Sequence, residues 1–142
     1  MSKAVTWTPP TDFATILTTA LDGLTNGANS AQSGAIANGT SKARYMALEL
    51  YLASLTPVGA AAILVYLQAS LDGSNYPEAG PTSDQLLRSF YVSTPAATKR
   101  KILWNIPIPP LNFKLVINNA AGVALAASGN TLAYRLYGEQ LG

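Results

Sequence analysis

The sequence predicts an all-β protein, an antiparallel β-sandwich with jelly-roll or Greek-key topology and an extended N-terminal arm. Three observations support this fold class. Apolar and polar side chains alternate along several segments, turn-forming sequences separate these segments, and no long segment is confidently helical. Because 142 residues correspond to one domain of ordinary size, we assign residues 1–12 to the arm and 13–142 to a single sandwich domain.

The N-terminal arm is expected to be extended because Pro9 and Pro10 disfavour helical backbone at and before their positions. It also lacks the apolar stretch of a secretory signal. Trp7 has two interpretations, since tryptophan is common both as a plug packed on its own domain and as an anchor on a partner. Both interpretations stay open at this point.

The two segments between the prolines of the arm and Thr40 differ in their apolar content. The first carries Phe13, Ile16, Leu17, Leu21 and Leu24, and the second is polar. Asp12 to Leu24 fits either a short amphipathic helix or a strand, and its threonines favour the strand. From Asn26 to Thr40 the only large apolar side chain is that of Ile36. We predict that this second segment is irregular or forms a polar edge strand.

A run of 22 uncharged residues extends from Leu50 to Leu71 and is long enough to cross a bilayer as a helix. Its apolar residues instead recur at every second position, as they do in a strand with one buried face. Pro57 and Gly59 lie between the two halves and indicate a turn. We therefore predict a β-hairpin and no membrane span.

Six strands are predicted in the main body of the chain, at about 43–54, 61–71, 86–93, 99–106, 112–118 and 131–138. The alternation assigns to the core Met46, Leu48, Leu50, Leu52, Ile63, Val65, Leu67, Ala69, Leu71, Phe90, Val92, Ile102, Trp104, Ile106, Phe113, Leu115, Ile117, Leu132, Tyr134 and Leu136. On this assignment Trp104 is a large core residue, and its replacement by alanine is expected to cost about 3–5 kcal/mol of stability.

The composition narrows the possible functions. The chain has no histidine and no cysteine, which removes the commonest general base and the cysteine nucleophile. Its formal net charge of +2 gives no argument for a nucleic-acid partner. Charged residues make up only 11% of the chain, whereas about 25% is typical. Because exposed charge keeps monomers apart, we expect other subunits to cover part of this surface.

Three polar motifs have a structural and a functional interpretation. Glu49 is expected on an outward face, as a surface or interface carboxylate rather than a general acid. The sequence Asp72–Asn75 fits a turn better than a calcium loop, because no further carboxylate follows at the required spacing. Lys99–Lys101 fits a solvated strand edge better than a nucleic-acid patch. We predict no catalytic residue, no metal site and no cofactor.

Four segments, LELYLASLTP, VYLQASLDGSNYPE, NIPIPPLNFKLVINNAAG and ASGNTLAYRLYGEQ, resemble a group of small virion proteins of tailed bacteriophages. The resemblance covers about Lys42 to Gln140. It implies a β-sandwich on the outer capsid surface that acts as a decoration or cement protein. It also implies a homotrimer that bridges subunits of the major capsid protein. It carries no motif of functional residues.

The partner-binding candidates are therefore chosen by residue type and position. They are Trp7, Pro9, Pro10, Tyr45 and Tyr51, with neither a nucleic acid nor a membrane as the expected partner. Two alternatives stay open. The first is a carbohydrate-binding module whose tyrosines stack on sugar rings, namely Tyr45, Tyr51, Tyr66, Tyr91 and Tyr137. The second is a tail or baseplate component of the same virion.

Overall fold

A computed structural model of the chain describes residues 4–59, 61–78, 80–92 and 96–141. The strands are β1 Val5–Trp7, β2 Ala14–Leu17, β3 Tyr45–Leu55, β4 Ala62–Ala69, β5 Leu86–Tyr91, β6 Ala97–Pro107, β7 Phe113–Ala120, β8 Thr131–Tyr137 and β9 Glu139–Leu141. A short helix, α1, spans Asn38–Ser41, and a 3-10 turn spans Ser83–Gln85. The six predicted strands correspond to β3 through β8.

The described strands form two packed sheets and a separate ribbon. The larger sheet has the strand order β2-β8-β3-β6 and the smaller one β5-β4-β7, while β1 pairs with β9. The pairings are antiparallel. The apolar side chains between the two sheets form the core. The prediction of an all-β antiparallel sandwich is confirmed.

The long uncharged run contains the second half of β3 and all of β4, but these two strands do not pair with each other. β3 pairs with β6 and β8, whereas β4 pairs with β5 and β7. The predicted β-hairpin is therefore wrong, and the segment around Pro57 carries the chain from one sheet to the other. Alternation reports that a strand has one buried face, but it does not say which strand lies beside it.

Most of the predicted core residues are buried. Those with at most 5% exposure are Met46, Leu48, Leu50, Leu52, Ile63, Val65, Phe90, Val92, Ile106, Phe113, Leu115, Ile117, Leu132 and Leu136. Leu67, Ala69 and Tyr134 are partly buried against this cluster. Leu71 is 90% exposed, because β4 ends at Ala69 and the chain turns away from the core.

No described helix has the length and apolar character needed to cross a membrane.

A bulge interrupts β6. Met46 pairs with Ile106, whereas Leu48 pairs with Leu103, so two residues of β6 lie opposite one residue of β3. Asn105 at this place has a φ of 54°, a left-handed conformation that asparagine tolerates better than most residues. The extra residue bends the strand and shifts the side-chain alternation beyond it.

The bulge overturns part of the predicted core. Ile106 is buried as expected, but Ile102 is 51% exposed and Trp104 is 67% exposed. The assignment of Ile102 and Trp104 to the core, and with it the large stability cost predicted for Trp104, is wrong. A strict period of two cannot be carried through a strand that gains a residue.

The polar segment 27–36 runs along the outer edge of β7. The backbone N–H groups of Ser30 and Ser33 donate to the carbonyls of Ile117 and Leu115 at 2.7 and 2.9 Å. Their hydroxyls accept the N–H groups of the same two residues at 3.0 and 2.9 Å. Apart from isolated bridges, the segment has no regular strand geometry. It nevertheless forms hydrogen bonds with backbone groups of β7 at the edge of the smaller sheet.

The N-terminal arm lies against the C-terminal strands of its own chain. Beyond the β1–β9 pairing, the N–H groups of Thr8 and Thr11 both donate at 2.8 Å, to the carbonyls of Gly138 and Leu136. The two threonine hydroxyls accept the N–H groups of these same residues. Residues 1–3 of the predicted arm lie outside the described residues.

Candidate binding surface

The outer face of the larger sheet carries an unusual number of exposed apolar side chains. Large apolar residues that are more than 50% exposed on this face or on the adjoining ribbon are Val5, Trp7, Phe13, Ile102, Trp104 and Leu141. Tyr45 and Tyr137 are paired across β3 and β8 and contribute two further rings. We call the set of Trp7, Phe13, Tyr45, Trp104 and Tyr137 the aromatic face.

One end of the aromatic face is a cluster of three rings. The ring of Trp7 meets those of Tyr45 and Tyr137 edge-on, with centroid distances of 5.8 and 5.6 Å. The two tyrosine rings are 5.8 Å apart. Trp7 nevertheless stays 56% exposed, so it packs on its own domain and still presents a free surface. The two interpretations of Trp7, packing on its own domain and anchoring a partner, are therefore compatible with this geometry.

The other predicted binding residues are distributed around this cluster. Pro9 and Pro10 are exposed on the arm, and Pro10 faces the groove described below. Tyr51 lies farther along the same face of β3, half-buried, with the Arg100 guanidinium 4.8 Å from its ring centroid. Of the tyrosines considered for sugar binding, Tyr66 and Tyr91 belong to the smaller sheet and do not join this face.

A groove crosses the aromatic face. It consists of two adjoining pockets of about 330 and 450 Å³ that share Ala47 and Arg135. Trp7, Pro10 and Phe13 line one side, Ile102 and Trp104 line the other, and Ala47 and Ala133 form the floor. We call it the Trp7–Trp104 groove. Small side chains on β3 and β8 create its depth, and the bulge in β6 supplies one of its walls.

The charged groups around the groove are mostly paired. Glu49 accepts a hydrogen bond from Arg100, and Arg44 lies 3.9 Å from a carboxylate oxygen of Glu139. Arg135 is exposed on the groove floor, opposite Ala47. Within the described parts of the chain it makes no hydrogen bond or ion pair.

The neutral polar groups at the groove are also bonded to each other. The hydroxyl of Tyr137 donates to the side-chain oxygen of Asn105 and accepts the backbone N–H of the same residue at 2.6 Å. These two hydrogen bonds connect the bulge in β6 to β8. Among the described residues that line it, the groove therefore offers hydrocarbon surface and one cation without a partner, Arg135.

Sequence reasoning missed three residues of this site. The alternation assigns Trp104 to the core because it carries no sign of the bulge in β6. Phe13 lies in a segment whose sequence fits either a short helix or a strand, so its face could not be assigned. Arg135 stands between Tyr134 and Leu136 in a predicted strand, so the alternation already put it on the outward face. That alternation was the available indication of a charged residue beneath the aromatic side chains.

The two other polar motifs of the sequence do not form ligand sites. In the turn at Asp72, the Asn75 side chain, the backbone N–H groups of Asn75 and Ser74, and the Ser70 hydroxyl all bond to the carboxylate. These bonds, that of the Asn75 side chain first, hold the pKa of the Asp72 carboxyl below its usual range. Lys99 is only 7% exposed, so Lys99–Lys101 is not a continuous solvated edge.

The fold and this surface define the class of protein as a β-sandwich with an aromatic outer face. No protein-family model matches the chain, and a search of curated proteins returns no match. Within the described ranges, no three histidine, cysteine or acidic residues cluster in a way that would hold a metal ion.

Proposed function

We propose that the protein is a non-enzymatic structural component of a bacteriophage virion. In this role it decorates the outer capsid surface and cements the shell by bridging subunits of the major capsid protein. The observation that carries the proposal is the aromatic face. Trp7 on the β1–β9 ribbon and Trp104 on β6 of the larger sheet are both more than half exposed. Aromatic residues and arginine are enriched at the surfaces through which proteins bind each other.

The composition supports the same role. Charged residues are only 11% of the chain, so much of the surface can contact a neighbour without removing ions from water. Each tryptophan or tyrosine buries roughly 150–250 Å² when it is covered, so a few such residues provide the centre of an interface. The resemblance of Lys42 to Gln140 to small phage virion proteins adds the identity of the neighbour.

We further propose that the sheets are connected as a jelly roll. If the edge segment 27–36 is counted as a strand, the smaller sheet has the order β5-β4-β7 followed by this segment. Each sheet then has four members, as in a double-sheet jelly roll of eight strands. This architecture occurs in viral capsid domains and also in lectins.

A homotrimer would suit the bridging role, because each additional attachment of a linked assembly is effectively intramolecular and strengthens the whole. Three copies of the 14.8 kDa chain have a mass of 44.4 kDa. Light scattering during size-exclusion chromatography is expected to give this value, and a monomer mass at micromolar concentration would contradict the trimer.

Antibodies against the protein, applied to purified phage particles in the electron microscope, test the location. We expect label over the whole head. Label confined to the tail would support the tail or baseplate alternative, and unlabelled particles would contradict the virion assignment altogether.

Deleting residues 1–12 is expected to leave a folded domain that binds capsids poorly. The arm contributes backbone pairing with β9 and part-buried hydrogen bonds of Thr8 and Thr11, but among its described residues, 4–12, no side chain belongs to the core. Co-sedimentation with capsid shells measures the binding, and circular dichroism checks the fold. The variant Trp7→Ala, which keeps the arm, serves as the matched comparison. Full capsid occupancy by the truncated protein would remove the arm from the mechanism.

A carbohydrate-binding module is the second candidate. The observation that favours it is the placement of exposed Trp7 and Trp104 on opposite sides of one groove, since aromatic rings stack on the apolar faces of sugars. A glycan array decides the matter for the isolated protein. Saturable binding that Trp104→Ala abolishes would support this candidate over the virion role.

A further inference from the structure

We propose that the Trp7–Trp104 groove binds an extended segment of a partner polypeptide that carries a carboxylate beside an apolar side chain, with Arg135 pairing to that carboxylate. The inference deepens the proposed function and rests on it only in taking a shell subunit as the partner. The ligand chemistry itself is argued from the groove.

Arg135 determines the charge of the ligand. It lies on the groove floor, where the two pockets meet, and it has no partner in the described part of the chain. The nearby carboxylates of Glu49 and Glu139 are already paired with Arg100 and Arg44. A guanidinium presents a planar set of donors that matches a carboxylate with two parallel hydrogen bonds. An acidic side chain of a partner completes this arrangement.

The walls determine the rest of the ligand. Trp7, Pro10 and Phe13 face Ile102 and Trp104 across a floor of alanines. Binding is favourable when such walls and the apolar side chains of a ligand remove each other from water. In an extended segment, successive side chains alternate in direction, so an acidic residue can point to the floor while neighbours contact the walls. Recognition of extended peptides by surface pockets is a recurrent mode of protein binding.

The polar groups at the groove favour a peptide over a sugar. Asn105 and Tyr137 bond to each other, and Glu49 bonds to Arg100. A sugar ring brings several hydroxyls, each of which loses its bonds to water and needs a new partner. The groove offers mainly hydrocarbon and one cation, which satisfies a carboxylate but leaves most hydroxyls without a partner.

The test is selection from a random peptide library on the immobilised full-length protein. We expect the enriched peptides to share an aspartate or glutamate flanked by apolar residues. Changing that acid to its amide should weaken binding about tenfold, as loss of a charge-assisted hydrogen bond predicts. Arg135→Gln should cause the same loss, and combining the two changes should add little further. The matched control is Arg88→Gln on β5 of the smaller sheet, which should bind normally.

Titration of the protein with the best peptide shows directly whether the peptide binds in the groove. The chain has two tryptophans, and the indole N–H signals of both should shift in the nuclear magnetic resonance spectrum. Enriched peptides without an acid, unchanged binding by Arg135→Gln, or no enrichment would each overturn the inference. So would uronic acid oligosaccharides that bind with the same dependence on Arg135. These results leave the antibody labelling of virions unaffected, so failure here is distinguishable from failure of the proposed function.

Discussion

Replacing Phe113 by alanine is expected to lower the free energy of unfolding by about 3–5 kcal/mol. Phe113 is fully buried between the sheets, at the first position of β7. Its backbone also exchanges two hydrogen bonds with Ile36, at 2.7 and 3.1 Å. The loss of stability has two parts. The variant no longer gains free energy from burying the aromatic ring, and the surrounding residues leave a cavity where the ring was.

Urea denaturation followed by circular dichroism measures this effect. Because small domains have only about 5–15 kcal/mol of stability in total, the midpoint should move far below that of the parent. Trp104→Ala is the matched control, since it also removes a large aromatic side chain but from a site that is 67% exposed. It should change stability by about 0.5 kcal/mol or less. Equal losses in the two variants would contradict the position of the β6 bulge.

Replacing Asn119 by alanine is expected to destabilise the protein by about 3 kcal/mol, because each buried group that loses its partner costs about 1–3 kcal/mol. The side-chain nitrogen of Asn119 donates to the carbonyls of Leu24 and Val123 at 2.9 and 2.8 Å. Its oxygen accepts the N–H of Ala121 at 2.9 Å. The residue is fully buried, so water cannot replace these bonds easily.

The adjacent Asn118 provides the control for that prediction. It is only partly buried, and its side chain bonds to Gly27 and Asn29 on the surface segment. Asn118→Ala should therefore cost about 1 kcal/mol or less, as is usual for a hydrogen bond that water can replace. Thermal melts of the two variants compare them directly. A larger loss for Asn118 than for Asn119 would contradict the role of Asn119 as a buried hub.

The strands were predictable because they depend on local alternation. Met46, Leu48, Leu50 and Leu52 occupy the core as their spacing indicated. Pairing was not predictable in the same way, because β3 finds its partners β6 and β8 far along the chain. The short connection through Pro57 favoured a hairpin locally, but packing of two apolar faces across the core favoured separate sheets.

The candidate site was predictable by residue type but not by geometry. Residue type and position single out Trp7 and Tyr45 in the sequence, and in the structure their ring centroids lie 5.8 Å apart. The groove depends on the left-handed backbone at Asn105, which turns Ile102 and Trp104 outward. A single residue in an unusual conformation leaves little trace in the periodicity of its neighbours.

Buried asparagines were the least predictable feature. Asn38, Asn119 and Asn130 are at most 1% exposed and each bonds to distant backbone groups. In the sequence they resemble ordinary turn residues. Their role depends on loops that meet only after the sheets have formed.

The bulge in β6 also restricts how copies of the protein can stick together. β6 is the outermost strand of the larger sheet, and Arg100 and the kink at Asn105 make its free border a poor template for another strand. At the far border of the smaller sheet, β7 is already occupied by residues 27–36. These two borders are therefore poorly suited to adding a strand from another copy of the chain, and growth of an open fibril through them is disfavoured.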